Sequence, residues 1–133
     1  MSLRDCPWCG VAACEARFHA LLEHDFSDPG FGAVHHLVVA TYMIQHGHYE
    51  SNTELEMLAF VTRTLHGTPR DHDRRVIRAA FDGLRRAIRR DREPPAQPRA
   101  WAVTVLDVDD SSASAYQRSV RAWAQGVARA LRQ

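Results

Sequence analysis

The sequence contains no lysine, so all 17 of its basic residues are arginines. This absence excludes chemistry that needs a lysine amine, such as a Schiff base or the lysine of a phosphate-binding loop. We attribute the exclusive use of arginine to the codon bias of a GC-rich bacterial genome. The net charge is only +1 at pH 7, so no overall field attracts the chain to nucleic acid or to a membrane surface.

Long apolar runs are also missing from the sequence. No stretch approaches the roughly 18 apolar residues of a membrane span, and the N-terminus lacks the apolar region of a signal peptide. We therefore expect a cytoplasmic protein without membrane contact, in a compartment where stable disulfides are rare. The sequence shows no Ser-His-Asp arrangement, phosphate-binding loop or dinucleotide fingerprint, so no common motif identifies an enzyme.

Apolar residues recur at helical spacing through most of the chain, which predicts an all-α fold. The 133 residues fit a single domain, and short loops favour an antiparallel bundle of four to five helices. A first helix is predicted over residues 12–25 and a second from Pro29 to His46, followed by the stop signal Gly47. The second helix is apolar nearly all round, which is typical of the central helix of a bundle.

Short polar residues mark where the helices are expected to begin. The second helix is predicted to start at Ser27 or Asp28. The third is predicted to start at the capping box Ser51-Asn52-Thr53-Glu54 and to end at Gly67. A fourth is predicted to start at Asp71 and Asp73, and the last at Ser111 or Ser112.

Two segments are not predicted to be helical. Residues 93–100 contain three prolines and are expected to form a stiff extended linker. Residues 101–108, WAVTVLDV, have the composition of a strand, but no other segment offers a partner and an isolated strand is not stable. We expect this segment to pack over the bundle, or to pair across the axis of a homodimer. The acidic turn at residues 107–110 is interpreted as a helix-cap loop rather than a calcium site.

All three cysteines lie in the sequence CPWCGVAAC, at residues 6–14. In a metal knuckle, a tight turn points two sulfurs at one ion, and backbone N–H groups bond to these sulfurs. Proline stiffens the first part of such a turn, and glycine after the second cysteine tolerates the positive φ that closes it. We therefore predict a metal knuckle in residues 1–11, with Cys6 and Cys9 as two ligands.

Two other interpretations of the cysteines stay open. A C-x-x-C pair can be a thioredoxin-type redox site, but that motif follows a strand, and only five residues precede Cys6. The terminus can also be a reduced and inert segment. The metal interpretation needs further ligands, because the sequence has no second C-x-x-C motif. These ligands must be Cys14 and one of the eight histidines.

An antiparallel hairpin of the first two helices, turning around residue 28, selects the histidine. It places Cys14 level with Tyr42 and one turn from His46, whereas His35 lies about 10 Å away along the helix axis. Three thiolates and one imidazole suit tetrahedral zinc. The predicted zinc ligands are Cys6, Cys9, Cys14 and His46.

Two other histidines are alternatives to His46. His48 replaces it if the helix end frays, and His35 is the ligand if the knuckle reaches the other end of the helix. His35 can instead pair with Asp25 or His24, or line a pocket, because a histidine on an apolar helix face is more often hydrogen-bonded than a metal ligand.

The cysteines and the histidines on the second helix belong to a longer sequence pattern that extends along the chain. Its positions are Cys6, Cys9, Cys14, Ser27-Asp28-Pro29, His35, Tyr42, Gln45-His46, Trp101, Asp107-Val108 and Val120 with Trp123-Ala124. Together they resemble a bacterial family of unknown function. That pattern has an acid where this chain has Ala40 and a proline where it has Gly47, so any role of the acid is absent here. The resemblance implies that the three cysteines and two histidines act together, and it implies no activity.

Residues 70–92 hold nine arginines and four aspartates. This segment can be a phosphate or nucleic-acid contact face, or a solvated helix face with cations toward its C-terminal end. No aromatic residue interleaves the stripe Arg74, Arg78, Arg85 and Arg89 to stack on bases. We therefore expect a solvated face and no nucleic-acid partner.

These observations favour a small helical protein with a structural zinc site and a role in binding or assembly. One alternative is a metal-dependent enzyme whose open metal site lies near His35 and Tyr42, with His35 or Asp25 as base. Another is a phosphate or nucleic-acid binder that uses residues 70–92. No catalytic residue is identified.

Overall fold

The computed structural model describes residues 5–67, 93–97 and 99–132. These residues form five α-helices, one 3-10 turn and no β-strand, which confirms the all-α prediction. The helices are α1 (Cys14–Ser27), α2 (Pro29–Gly32), α3 (His35–Gln45), α4 (Ser51–His66) and α5 (Ala113–Leu131), and the 3-10 turn spans Val105–Asp107. The predicted fourth helix near Asp71, with its arginine stripe, lies outside the described residues.

Helix α3 is the central helix, as its apolar composition predicts. Eight of its residues are buried, and it packs against α1, α4 and α5. The long helix α5 buries one stripe that includes Tyr116, Val120 and Trp123. Each fully buried side chain of this size contributes about 1.5–3 kcal/mol to folding. Gln45 joins the helices inside the core, because it accepts a hydrogen bond from the Trp123 indole at 3.1 Å and donates one to the Val103 carbonyl at 2.9 Å.

The prediction of one continuous second helix is wrong. Pro29 and Asp28 do open a helix, and the Asp28 side chain accepts the Gly30 N–H at 2.7 Å. That helix stops at Gly32, and α3 begins after Val34, whose φ of −111° and ψ of 17° depart from helical values. Gly32 lies so close to the Asp25 carbonyl that a Cβ there would overlap it. This close approach to the end of α1 turns the chain and separates α2 from α3.

Of two other predicted helix starts, one agrees with the structure and one does not. Ser112 caps α5 as predicted, with its hydroxyl accepting the Ala115 N–H at 3.1 Å. The capping box at Ser51 is not formed, because α4 begins one residue earlier than the box requires. The Glu50 carbonyl already accepts the first intrahelical hydrogen bond, at 2.8 Å from the Glu54 N–H, so Ser51 lies inside the helix.

The segment at residues 101–108 packs over the bundle, as one of its two interpretations expects. Val105 and Val108 point inward and are buried. Between them the chain forms a 3-10 turn, which sequence composition did not predict. Thr104 and Asp107 stabilise this turn through a reciprocal capping box. None of the helices in the described part of the chain is long and apolar enough to cross a membrane.

The end of α3 meets the N-terminal segment at Gly47. This glycine has a φ of +63°, and a Cβ at its position would overlap the ring of Trp8. The Trp101 indole N–H donates to the Trp8 carbonyl at 3.2 Å. The N-terminal segment is therefore held between the end of α3 and residues 101–108.

Gly47→Ala is expected to lower the free energy of unfolding. A positive φ costs an L-residue about 1–2 kcal/mol, and the new methyl group would also displace Trp8. Chemical denaturation measures the loss. Gly67→Ala is the control, because Gly67 has an extended φ of 173° and open space among the described residues where a Cβ would lie. Equal losses of unfolding free energy in Gly47→Ala and Gly67→Ala would contradict the roles of the positive φ and of the Trp8 contact at Gly47.

Candidate metal centre

Residues 6–11, within the predicted knuckle at residues 1–11, form a tight turn. The Gly10 N–H donates to the Cys6 carbonyl at 2.8 Å, and the Cys6 N–H donates to the Val11 carbonyl at 3.1 Å. Gly10 has the expected positive φ, at +82°. The Trp8 N–H lies 3.4 Å from the Cys6 sulfur. This turn exposes backbone donors to the first sulfur, as a metal knuckle does.

Cys14 is the first residue of α1 and is buried. The residue before it, Ala13, has a φ of +62°, the only positive φ among non-glycine residues in the described ranges. The left-handed conformation costs an L-residue about 1–2 kcal/mol. It reverses the chain direction at the start of α1, so that Cys14 faces the knuckle.

His46 follows the last residue of α3 and is almost completely buried. Its Nδ1 lies 2.8 Å from the Tyr42 carbonyl. Because a carbonyl oxygen can only accept, Nδ1 must carry the proton, and Nε2 therefore carries the lone pair. Hydrogen bonding of one ring nitrogen to a carbonyl is how proteins orient a histidine that binds metal through the other nitrogen.

The structure brings the four predicted residues together. The ligand atoms of Cys6, Cys9, Cys14 and His46 all lie within 4.8 Å of one another. In tetrahedral zinc coordination, ligand atoms are separated by roughly 3.3–3.8 Å, from Zn–S and Zn–N distances near 2.3 and 2.0 Å. Small side-chain movements are enough to reach that geometry. The donor set fits a metal ion, and no other such cluster occurs in the parts of the chain that the structure describes.

The thiols of the cluster differ in acidity. Burial raises the pKa of Cys9 to about 12 and also raises the pKa of Cys14. Burial raises the pKa of Cys6 too, but hydrogen bonds from the Cys9 and Trp8 backbone outweigh this effect and leave the Cys6 pKa below its ordinary value. Since thiolates are the form that binds metal, a cation is needed to hold all three cysteines deprotonated. None of the three forms a disulfide.

An aromatic stack forms one wall of the cluster. The Tyr42 ring lies parallel to Phe18 of α1 at 3.8 Å between centroids, and it stacks on His46 at 4.0 Å. Burial raises the pKa of Tyr42, and the neighbouring Cys14 thiol adds to this shift. The hairpin register predicted that Tyr42 and Cys14 would be level. Sequence reasoning missed the stack of Tyr42 with Phe18. It also missed the contact of Trp8 with Gly47, for which the bulky side chain of Trp8 between the two knuckle cysteines was the only signal.

Two surface cavities border the cluster. A cavity of about 660 Å³ is lined by Pro7, Ala16 and neighbouring residues. A second, of about 370 Å³, is lined by residues that include Tyr42, His46 and His48. Cys6 and Cys14 line both cavities, whereas Cys9 lines neither. Of the two knuckle sulfurs, that of Cys9 therefore lies on the inner side of the cluster and that of Cys6 on the outer side.

The two alternative histidines are outside the cluster. His48 lines the smaller cavity but is not among the four converging residues. His35 lies 2.9 Å, through Nδ1, from a carboxylate oxygen of Asp25, which confirms the pairing considered as its alternative role. The other Asp25 oxygen accepts a 2.6 Å hydrogen bond from the Tyr116 hydroxyl. Asp25 is thus a buried carboxylate that joins α1, α3 and α5.

The sequence of residues 4–132 matches that of a family of unknown function (DUF5946). The chain belongs to this family. The match covers nearly the whole sequence and confirms the resemblance to an uncharacterised family. Comparisons with curated proteins and with solved structures found no significant match. Family membership and fold therefore supply no activity for this chain.

The acidic turn after residue 106 is a cap loop, as predicted. Asp107 completes the capping box of the 3-10 turn, and Asp109 accepts the Ser111 N–H at 2.9 Å. Asp110 accepts hydrogen bonds from Arg17 at 3.2 Å and from His24 at 3.0 Å. The turn thereby fixes the outer side of α1.

Tyr116→Phe is expected to destabilise the protein by about 1.5–3 kcal/mol, because it removes a hydrogen bond to a buried charged group. Tyr49→Phe is the matched control: Tyr49 is also buried, but its side-chain hydroxyl forms no hydrogen bond with the part of the chain described here. Urea denaturation of both variants measures the difference. If the two variants lose equal stability, the Tyr116–Asp25 bond contributes nothing specific.

When the pH is lowered, Asp110→Asn is expected to lose less stability than the wild type loses. The hydrogen bond from Arg17 holds the pKa of Asp110 below its ordinary value of 3.8. Because the folded-state pKa is lower than the unfolded-state pKa, the stabilisation is present above about pH 4 and is lost as the pH falls through the folded-state pKa.

Melting temperatures between pH 6 and pH 3 test this prediction. Glu23→Gln, at an exposed position of α1, is the control. Both variants keep the cysteines, so any effect of acid on the cluster is common to them. A wild-type-like pH profile for Asp110→Asn would show that the Arg17 pairing does not contribute.

Proposed function

We propose that Cys6, Cys9, Cys14 and His46 bind one zinc ion, and that the ion fixes the N-terminal knuckle to the end of α3. The observation that carries the proposal is the convergence of these four ligand atoms within 4.8 Å. The protein is then a zinc-stabilised helical protein that acts in binding or assembly.

The donor set favours zinc over other common metals. Thiolate sulfur is a soft ligand that selects zinc, copper(I) or iron–sulfur centres, and imidazole suits zinc as well. Magnesium and calcium prefer oxygen ligands. Three thiolates and one imidazole form a complete tetrahedral set, which is typical of structural zinc sites.

A closed site agrees with the position of the ligands in the chain. Cys6 and His46 are separated by 40 positions, so a bond between them through the ion closes a long loop. For a covalent cross-link of this length, the loss of loop entropy in the unfolded state stabilises the fold by about 4 kcal/mol. The ion also compensates the repulsion between three neighbouring thiolates. Both effects are structural, and neither needs a substrate.

A catalytic metal site is the second candidate. The cavity of about 370 Å³ beside Cys6, Cys14 and His46 is the observation that favours it. Such a site keeps one open coordination position for water, and one of the four residues would then leave the metal. Cobalt substitution distinguishes the two, because its visible spectrum differs between a four-ligand protein site and one with bound water. A spectrum with three thiolate ligands and no water supports the structural role.

The proposed zinc site also bears on the domain organisation and the location of the protein. We propose a single domain over residues 1–133, with residues 1–11 as the knuckle and residues 93–100 as a linker. A bacterial cytoplasm is the proposed location, because it keeps thiols reduced for metal binding. A homodimer stays a prediction, and a phosphate- or nucleic-acid-binding role of residues 70–92 stays an alternative.

Purified wild-type protein is expected to contain one zinc ion per chain by elemental mass spectrometry. Cys9→Ser and His46→Ala are expected to lose it, because each removes one ligand of four. A chelator is expected to lower the melting temperature of the wild type sharply, since bound metal stabilises only the folded state.

His48→Ala and His35→Ala are the matched controls, and both are expected to retain zinc. Loss of zinc in His48→Ala but not in His46→Ala would assign the fourth ligand to His48. Absence of metal from freshly reduced wild type, together with an unchanged melting temperature in chelator, would overturn the proposal.

A further inference from the structure

We infer that Cys6 is the point at which the cluster is oxidised by a peroxide, and that its oxidation forms a disulfide within the cluster and releases the metal. This inference rests on the proposed zinc site and adds a modification site to it. The reactant is a hydroperoxide, either hydrogen peroxide or an organic one.

The sulfurs of the cluster are unequally accessible. Cys9 and Cys14 are buried, with 4% and 6% of their surface exposed, whereas Cys6 is half-buried. Cys6 and Cys14 both line the two surface cavities, of about 660 and 370 Å³, so the greater exposure of Cys6 is what distinguishes it. Either cavity has room for a small peroxide. Cys6 is therefore the sulfur that a reactant from solvent reaches first.

The same geometry supplies the second sulfur. The ligand atoms of Cys9 and Cys14 lie within 4.8 Å of that of Cys6. A disulfide needs an S–S distance near 2.05 Å and a Cβ–Cβ distance of about 3.5–4.5 Å. Cys6 belongs to a surface turn of six residues, so closing the remaining gap requires local movement only. Three sulfurs around one ion thus place a resolving thiolate next to the attacked one.

The reaction balances in two steps. First, the Cys6 thiolate attacks one peroxide oxygen, the O–O bond breaks, and the leaving alkoxide or hydroxide takes a proton, which leaves Cys6 as a sulfenic acid. Second, the thiolate of Cys9 or Cys14 attacks the Cys6 sulfur, the S–O bond breaks, and the leaving hydroxide takes a proton to form water. The two sulfurs lose two electrons and the peroxide gains them.

Metal release follows from the loss of ligands. The disulfide removes two of the four donors, and one thiolate and His46 do not suffice for tetrahedral zinc. Release of the ion removes its bonds between the knuckle and His46, while the contact of Trp8 with Gly47 and the hydrogen bond from Trp101 to the Trp8 carbonyl do not depend on the ion. Reduction of the disulfide restores the site, so the change is reversible.

The test treats zinc-loaded wild-type protein with hydrogen peroxide. Zinc release is followed with a chromogenic chelator, remaining thiols are alkylated, and peptide mass spectrometry locates the disulfide. Dimedone in a parallel reaction traps the sulfenic acid. We expect one zinc ion released for each two thiols lost, a dimedone adduct on Cys6, and a disulfide that joins Cys6 to Cys9 or Cys14. Dithiothreitol with added zinc is expected to restore metal binding.

Met43→Leu is the control variant, because Met43 also lines the smaller cavity and is itself open to oxidation. The variant is expected to release zinc at the wild-type rate. A Cys9–Cys14 disulfide, an adduct on Cys9, or release that disappears in Met43→Leu would overturn the inference. Zinc that is bound but not released would overturn it and leave the structural site intact. A wild type that binds no zinc would overturn both.

Discussion

The structure of the N-terminal third depends on bringing three sulfurs and one imidazole to a single buried point. Two of the sulfurs have a cost there: burial disfavours the thiolates of Cys9 and Cys14, and neighbouring thiolates repel one another. The apolar contacts around the cluster are not enough to explain why these groups converge. The proposed cation would offset both costs at once, and it would relate the position of the knuckle, the direction of α1 and the end of α3 to one site.

Helix α1 is held at both of its ends by polar groups, while apolar contacts fill its middle. Cys14 begins the helix in the cluster, and Asp25 lies three turns later, where it accepts hydrogen bonds from Tyr116 and is paired with His35. Between them Phe18 and Leu21 pack into the core. The two ends differ in how their charge is stabilised. Asp25 is compensated by hydrogen-bond donors of the protein, whereas in the proposed site the three thiolates would be compensated by an ion.

The candidate site could be derived from the sequence because it depends on simple, local geometry. The spacing of the cysteines in CPWCGVAAC predicts a knuckle, and the rise of two antiparallel helices places Cys14 beside Tyr42 and near His46. Both statements need only helix geometry and one turn around residue 28. The break between α2 and α3 does not alter this register, because both ends of the hairpin remain adjacent.

Two features that sequence reasoning missed depend on contacts between residues that are apart in the sequence. The second helix breaks because Gly32 meets the backbone of Asp25, and the periodicity of apolar residues does not report such an approach. The bond between Asp25 and Tyr116 joins positions 91 residues apart. The capping box at Ser51 fails by one residue, which is within the usual uncertainty of helix ends. Local patterns predict local structure, whereas the contacts of Gly32 with Asp25 and of Tyr116 with Asp25 are not local.

Backbone conformation gives independent support for a site at this point. Three residues in the described ranges have a positive φ, and each is adjacent in sequence to one of the four converging residues: Gly10 follows Cys9, Ala13 precedes Cys14, and Gly47 follows His46. Two of them are glycines, which adopt this conformation at little cost, but Ala13 is strained. Strained residues persist only where the surrounding structure over-determines them. The three positive-φ residues therefore lie beside three of the four converging residues, and an ion bound there would supply free energy that maintains this backbone conformation.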